Sequence, residues 1–148
     1  MRREEIERLL PHRDSMLLLN RLERNGDYAE GELDIQGTEW FLNGHFPGFP
    51  VVPGVIQCEI LAQSACALIP ALSEDNARIP MYTGLDKVRF RAPVYPGDCF
   101  RTRCRITRSR ANFYFIEGKG YVGDRLCISA EFSFAIVEKK DVFKNTDC

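Results

Sequence analysis

The chain has 148 residues, 45% of them hydrophobic, which is the size of one domain with enough apolar material for a real core. A net charge of -1 excludes a protein driven by bulk charge, whether a basic nucleic-acid binder or an acidic tail. The charge is uneven, however: residues 85–110 carry eight basic side chains against two acidic ones, a local +6, and the remainder carries 12 against 19, or -7.

Six cysteines (Cys58, Cys66, Cys99, Cys104, Cys127, Cys148) form no CxxC pair and read as free thiols in a reducing compartment. With His12 and His45 the only imidazoles, a zinc site has little support. Residues 1–5 lack the apolar core of a signal peptide, and no apolar run reaches membrane-spanning length. The expectation is a soluble cytoplasmic protein, with residues 1–148 forming a single domain.

In chain order, residues 3–10 have a short amphipathic helical pattern with Ile6, Leu9 and Leu10 on one face, stopped by Pro11. His12 follows, and in a helix-ending loop it reads as structural or exposed. The turn Asn25-Gly26-Asp27 leads into an alternating segment, Tyr28 to Ile35, one arm of a hairpin. Residues 44–54 hold three glycines and three prolines in eleven positions, which forbids helix and strand and leaves a long shaped loop around His45. A mostly apolar run from Val55 to Leu72 then reads as a buried helix, with Glu59 the one acid in its first four turns. Ser73 to Pro80 is a polar turn region. Four strands follow over Met81–Arg91, Cys99–Thr107, Asn112–Val122 and Arg125–Val137, with Gly123-Asp124 a tight hairpin turn. Alternation in Lys87, Arg89, Arg91 and in Arg101, Arg103, Arg105 puts the basic side chains on one sheet face.

The sum is an α+β domain, a long helix wrapped by an antiparallel sheet. A helix apolar on nearly every side needs cover on nearly every side, so a second copy of the chain is expected to supply what one sheet cannot.

A carboxyl group among Val, Ile, Cys and Leu is costly to bury ionised unless it is paired. Gln63 lies one turn after Glu59 on the same face, whereas Gln57 and Ser64 point the other way. His45 upstream, Glu59, and the unpaired N–H groups of a helix beginning near Gly54 together suit acid–base chemistry on a carbonyl compound. The apolar helix is expected to raise the carboxyl pKa of Glu59.

These residues resemble a known family. Gly44-His45-Phe46-Pro47-Gly48-Phe49-Pro50-Val51-Val52-Pro53-Gly54-Val55, followed by Glu59 and Ala62-Gln63, is similar to the signature of the bacterial 3-hydroxyacyl-[acyl-carrier-protein] dehydratases of hot-dog fold. Leu9-Leu10-Pro11-His12-Arg13 and the stretch Gly84 to Asp98 resemble two further motifs of that family in the same order, so the likeness spans about Leu9 to Val137. It implies dehydration of a (3R)-3-hydroxyacyl thioester to the trans-2-enoyl product in fatty-acid elongation, without metal or cofactor. It also implies His45 as the base at C2, Glu59 as the acid at the 3-hydroxyl, and the Gly54 N–H polarising the thioester carbonyl. The Val51 carbonyl would orient His45, and Gln63 would support Glu59. The implied partner is an acyl carrier protein bearing a phosphopantetheine-linked chain; neither nucleic acid nor membrane is implied. An acidic carrier would match the local +6, so some of Lys87, Arg89, Arg91, Arg101 and Arg103 are expected to guide it. The implied assembly is a homodimer or a trimer of dimers, each site taking its His and its acid from different subunits. Glu at position 59 resembles the plain dehydratase branch, since the isomerase branch typically carries Asp there. Two departures stand out: Gln57-Cys58 replaces a usual aliphatic pair, and Met81-Tyr82 stands where an aromatic gate pair is frequent. A hot-dog thioesterase and a non-catalytic acyl-carrier binding module remain alternatives at this point.

Overall fold

The computed structural model describes residues 1–72 and 77–142. In chain order it contains α1 (Arg3–Leu9), β1 (Arg21–Asn25), β2 (Tyr28–Asp34), α2 (Gly54–Ala65), β3 (Arg78–Phe90), β4 (Cys99–Arg110), β5 (Phe113–Val122), β6 (Arg125–Glu138) and a short α3 (Lys139–Val142). The six strands form one antiparallel sheet in the order β1-β2-β4-β5-β6-β3. Two connections are the tight hairpins expected. Asn25 pairs with Tyr28 and Val122 with Arg125, and Gly26 and Gly123 take the left-handed conformation (φ 62° and 58°) that a two-residue loop of matching twist requires.

Helix α2 packs across β2, β4, β5 and β6, burying Ile56, Cys58, Ile60, Leu61, Ala62 and Ala65. Its approach to the sheet depends on Gly31 in β2, where a Cβ would run into the Ser64 hydroxyl and stand 2.8 Å from the Thr102 Oγ1. The polar groups at this crossing satisfy one another. Gly31 N–H donates to Thr102 Oγ1 at 3.0 Å, the two hydroxyls lie 2.6 Å apart, and Ser64 Oγ donates to the Ile60 carbonyl at 2.8 Å. Facing away from Glu59, Gln57 and Ser64 are buried as the helical spacing requires.

Several boundaries differ from expectation. The helix ends at Ala65 and tightens into a 3-10 turn at Cys66–Leu68, well before Leu72. Pro70 lacks the N–H that would continue the ladder, and the chain leaves the helix ahead of it. Strand β3 begins at Arg78, inside the expected polar turn, and it accommodates Pro80 because it is the last strand of the sheet and one of its edges needs no N–H. Residues 73–76 of that expected turn lie outside the described residues. Five cysteines are free thiols, as expected, and Cys148 lies outside the described residues.

Candidate active site

The loop from Gly44 to Pro53 is shaped by its own backbone. Gly44 and Gly48 occupy the left-handed region at φ 81° and 79°, and Phe46 and Phe49 exchange N–H to carbonyl bonds of 3.0 and 2.9 Å. Val51 holds His45 twice. Its N–H donates to the His45 carbonyl at 2.8 Å, and its carbonyl accepts from the imidazole Nδ1 at 3.1 Å. A proton committed to Nδ1 leaves Nε2 with a free lone pair, the form of histidine that can accept a proton. Phe46 stacks on the ring with centroids 4.3 Å apart, and Val52 N–H ties the far end of the loop to the Val94 carbonyl at 2.9 Å.

Helix α2 starts directly after this loop. The N–H groups of Ile56 and Gln57 are taken up by the Pro53 carbonyl, so those of Gly54 and Val55 stand at the tip without a place in the helical ladder. Such a tip favours a developing negative charge on oxygen. Gly54 also admits Phe90, since a Cβ there would lie 2.7 Å from the Phe90 ring.

Glu59 lies one turn further on and is half-buried. Its Oε1 accepts from Gln63 Nε2 at 3.0 Å and from His12 Nε2, also at 3.0 Å. Gln63 is itself fully buried and fixed at both ends of its amide, accepting from Leu18 N–H at 3.0 Å and donating to the Met16 carbonyl at 2.7 Å. Burial pushes the Glu59 carboxyl upward, but the His12 and Gln63 hydrogen bonds and the His12 charge outweigh it, and the pKa settles below the ordinary value of 4.5. This corrects the expectation of a raised carboxyl: an apolar helix is not an apolar site when two N–H donors reach it from elsewhere. Burial holds neighbouring Cys58, Cys66 and Tyr82 above their ordinary values and so neutral.

The structure thus brings His45 together with Val51, and Glu59 together with Gln63, with Gly54 at the helix tip between them in sequence. Among the described residues, no hydrogen bond or ion pair joins His45 to Glu59 within one chain. Two residues carry more than the sequence pattern suggests. His12 is partly buried and hydrogen-bonded to Glu59 rather than exposed, and its place in the Leu9–Arg13 motif is the available signal. Tyr82 donates its hydroxyl to the Cys58 carbonyl at 2.6 Å, anchoring the helix backbone one residue before Glu59.

The basic stretch looks different in space. Arg101 meets Glu32, Arg103 meets Glu30 and covers the Tyr28 ring, Arg105 meets Glu117, and Lys87 meets Glu131. Cross-strand register therefore supplies the acids that the local sequence lacks. Arg89 and Arg91 flank Phe90 and, among the described residues, have no acidic partner. Also among the described residues, no helix is long and apolar enough to cross a membrane, and no group of three or more His, Cys, Asp or Glu side chains is placed to hold a metal ion.

Comparison with known proteins gives a consistent result. A family profile described as the FabA-like domain matches residues 10–131. The 3-hydroxyacyl-[acyl-carrier-protein] dehydratase FabZ of Natranaerobius thermophilus is 42% identical over 138 residues, covering 91% of this chain and 96% of that protein. The protein of the same name from Alkaliphilus metalliredigens is 38% identical over 135 residues, covering 90% and 92%. Among solved structures, the dehydratase heterocomplex ApeI:P of Xenorhabdus doucetiae aligns with TM-score 0.78 at 17% identity over 97% of each chain. The uncharacterized protein PH1136 of Pyrococcus horikoshii aligns with TM-score 0.64 at 20% identity, over 85% of this chain and 88% of that one. The two structural likenesses speak to the fold alone, a hot-dog arrangement of one helix on an antiparallel sheet.

Proposed function

The chain belongs to the FabA-like domain family, and we propose that it is a 3-hydroxyacyl-[acyl-carrier-protein] dehydratase, converting a (3R)-3-hydroxyacyl thioester to the trans-2-enoyl thioester in fatty-acid synthesis. The observation that carries the assignment of roles is the pair of bonds between His45 and Val51, which fixes the imidazole with Nε2 free.

In this reading His45 Nε2 takes the C2 proton. The C–H electrons move into the thioester, and the enolate charge that gathers on the carbonyl oxygen is met by the Gly54 N–H at the tip of α2. The electrons then return to form the C2=C3 bond as the C3–O bond breaks, and Glu59 gives its proton to the departing hydroxyl, releasing water. An acyl chain in the site excludes water from Glu59, adding to the burial that already pushes its carboxyl upward, so the protonated form gains as substrate binds. Gln63 keeps the carboxyl in place throughout.

No hydrogen bond or ion pair joins His45 to Glu59 within one chain, which supports a site completed by a second copy. Strand β3 ends the sheet over thirteen residues with Leu85 and Phe90 exposed, and Val55 at the helix tip is 75% exposed. A long uncovered edge with apolar side chains favours pairing with another β3, giving a homodimer, with a trimer of dimers the larger assembly. The carrier protein, acidic in this reading, is steered by Arg89 and Arg91, the two cations beside the Phe90 that packs on Gly54; Lys87, Arg101 and Arg103 already face acids. The reading takes residues 1–148 as one dehydratase domain working in the cytoplasm.

The test supplies purified protein with a (3R)-3-hydroxyacyl-carrier thioester and follows the ultraviolet absorbance of the conjugated enoyl group. A rise that depends on His45 supports the assignment. No rise, with free carrier thiol appearing, replaces it with a thioesterase; carrier binding with neither signal replaces it with a binding module.

A further inference from the structure

The acid half of the site has a geometry that the helix alone does not explain. Both donors to Glu59, from Gln63 and from His12, converge on the same oxygen, Oε1, each at 3.0 Å. One comes from α2 itself. The other arrives from the segment between α1 and β1, which crosses the helix and is anchored on both sides. Arg13 Nη1 donates to the Leu10 and His12 carbonyls, each at 2.7 Å, fixing the turn that presents the imidazole. Arg3 reaches from α1 to the Asp14 and Leu17 carbonyls at 2.8 and 3.2 Å, and Gln63 grips the same segment at Met16 and Leu18.

The imidazole itself is set in one orientation. His12 Nδ1 is buried without a hydrogen-bond partner. Among the described residues the Nε2–H bond to Glu59 is therefore the one hydrogen bond of the ring, and it sets the orientation of the imidazole.

We propose that His12 is a positioning residue for Glu59: with Gln63 it occupies Oε1, so that Oε2 is the one carboxyl oxygen free to hold and deliver the proton to the departing hydroxyl. The role rests on the dehydratase reading above, while the pairing of His12 with Glu59 stands independently of it. An acid whose proton can sit on only one oxygen meets the substrate in one geometry, and losing that restriction costs turnover more than binding. The titratable groups within electrostatic reach of Glu59 are His12 from this segment, Tyr82 from β3 and Cys66 in the turn after α2, with Cys58 its neighbour in sequence. Burial keeps the tyrosine and both thiols neutral, so a shift in the Glu59 titration on changing residue 12 reports His12.

Two variants separate the donor from the ring. His12→Phe keeps a planar ring of similar bulk without a donor; His12→Gln keeps an N–H donor without the ring. The expected result is a fall in kcat of about tenfold in His12→Phe with KM changed less than about twofold, and recovery of most of that loss in His12→Gln. A second readout needs no activity. With the glutamate carboxyl carbons 13C-labelled and the Glu59 signal assigned by its absence in Glu59→Gln, the Glu59 titration midpoint moves up in His12→Phe, because the donor that favours the carboxylate is gone. Equal kcat in the two variants, or a loss confined to KM, overturns the positioning role. An unmoved Glu59 midpoint in His12→Phe overturns the pairing itself. Wild-type protein that forms no enoyl product overturns the dehydratase reading and the catalytic role with it, and the titration still decides the pairing.

Discussion

Gln63→Met is the most informative single change to the scaffold of the site. Methionine preserves length and bulk, so no cavity opens and the packing of a fully buried position is nearly kept. What disappears is the amide and its three hydrogen bonds, to Leu18 N–H, the Met16 carbonyl and Glu59 Oε1. Leu18 is buried, and its N–H, left without a partner, costs about 1–3 kcal/mol. Met16 is exposed, so water can replace the lost donor to its carbonyl and the added cost there is about 0–1 kcal/mol. The expected destabilisation is therefore about 1–4 kcal/mol, which for a chain of this size lowers Tm by roughly 2–16 °C. Urea unfolding of both proteins at one protein concentration measures it, with the concentration fixed so that any self-association weighs equally on both. A loss below about 0.5 kcal/mol would refute the claim that the Gln63 amide joins the N-terminal segment to α2.

Other consequences follow from the same geometry. Gly31→Ala places a methyl group against Ser64 and Thr102 in the tightest part of the helix–sheet contact, so it should cost about 1–3 kcal/mol in urea unfolding. Gly54→Ala meets only the outer end of the half-exposed Phe90 ring, which can swing aside; stability should fall by less than about 1 kcal/mol while kcat drops, as read by unfolding and enoyl absorbance on the same sample. The Glu59 carboxyl is depressed in the folded state, so the stability it contributes is fully present above the unfolded-state value of 4.5 and is lost as pH falls through the lower folded value. The stability of the wild type relative to Glu59→Gln should shrink across that acid window, measured by urea unfolding as the pH is lowered through it. Reversing charge at Arg89 and Arg91 together should raise KM for the carrier substrate and weaken its salt dependence, whereas reversal at Arg101 and Arg103 should leave both unchanged.

Much of this arrangement is legible in the order of the residues. The glycine and proline spacing of residues 44–54 dictates a shaped loop, the apolar run after it dictates a helix, and the i, i+4 relation of Glu59 and Gln63 dictates their contact. The hairpin turns at Gly26 and Gly123 are equally local, because a two-residue loop restricts what can stand there. What the pattern hides depends on partners remote in the chain. The charge of residues 85–110 has the look of a basic surface until strand register sets Glu30, Glu32, Glu117 and Glu131 beside it. The direction of the Glu59 shift is hidden for the same reason, since periodicity along α2 reveals the apolar surroundings of the carboxyl but not an imidazole delivered from the segment after α1. Pro80 marks a false start for β3, because the edge position that makes proline harmless is a property of the whole sheet.

The central claim is a loss of water from a carrier-bound acyl chain, and the most direct measurement is the intact mass of the carrier protein before and after incubation with the enzyme. The account predicts a carrier species lighter by one water, formed by the wild type and absent with His45→Ala. A carrier returned to its unacylated mass, or one left unchanged by wild-type protein that binds it, would contradict the account.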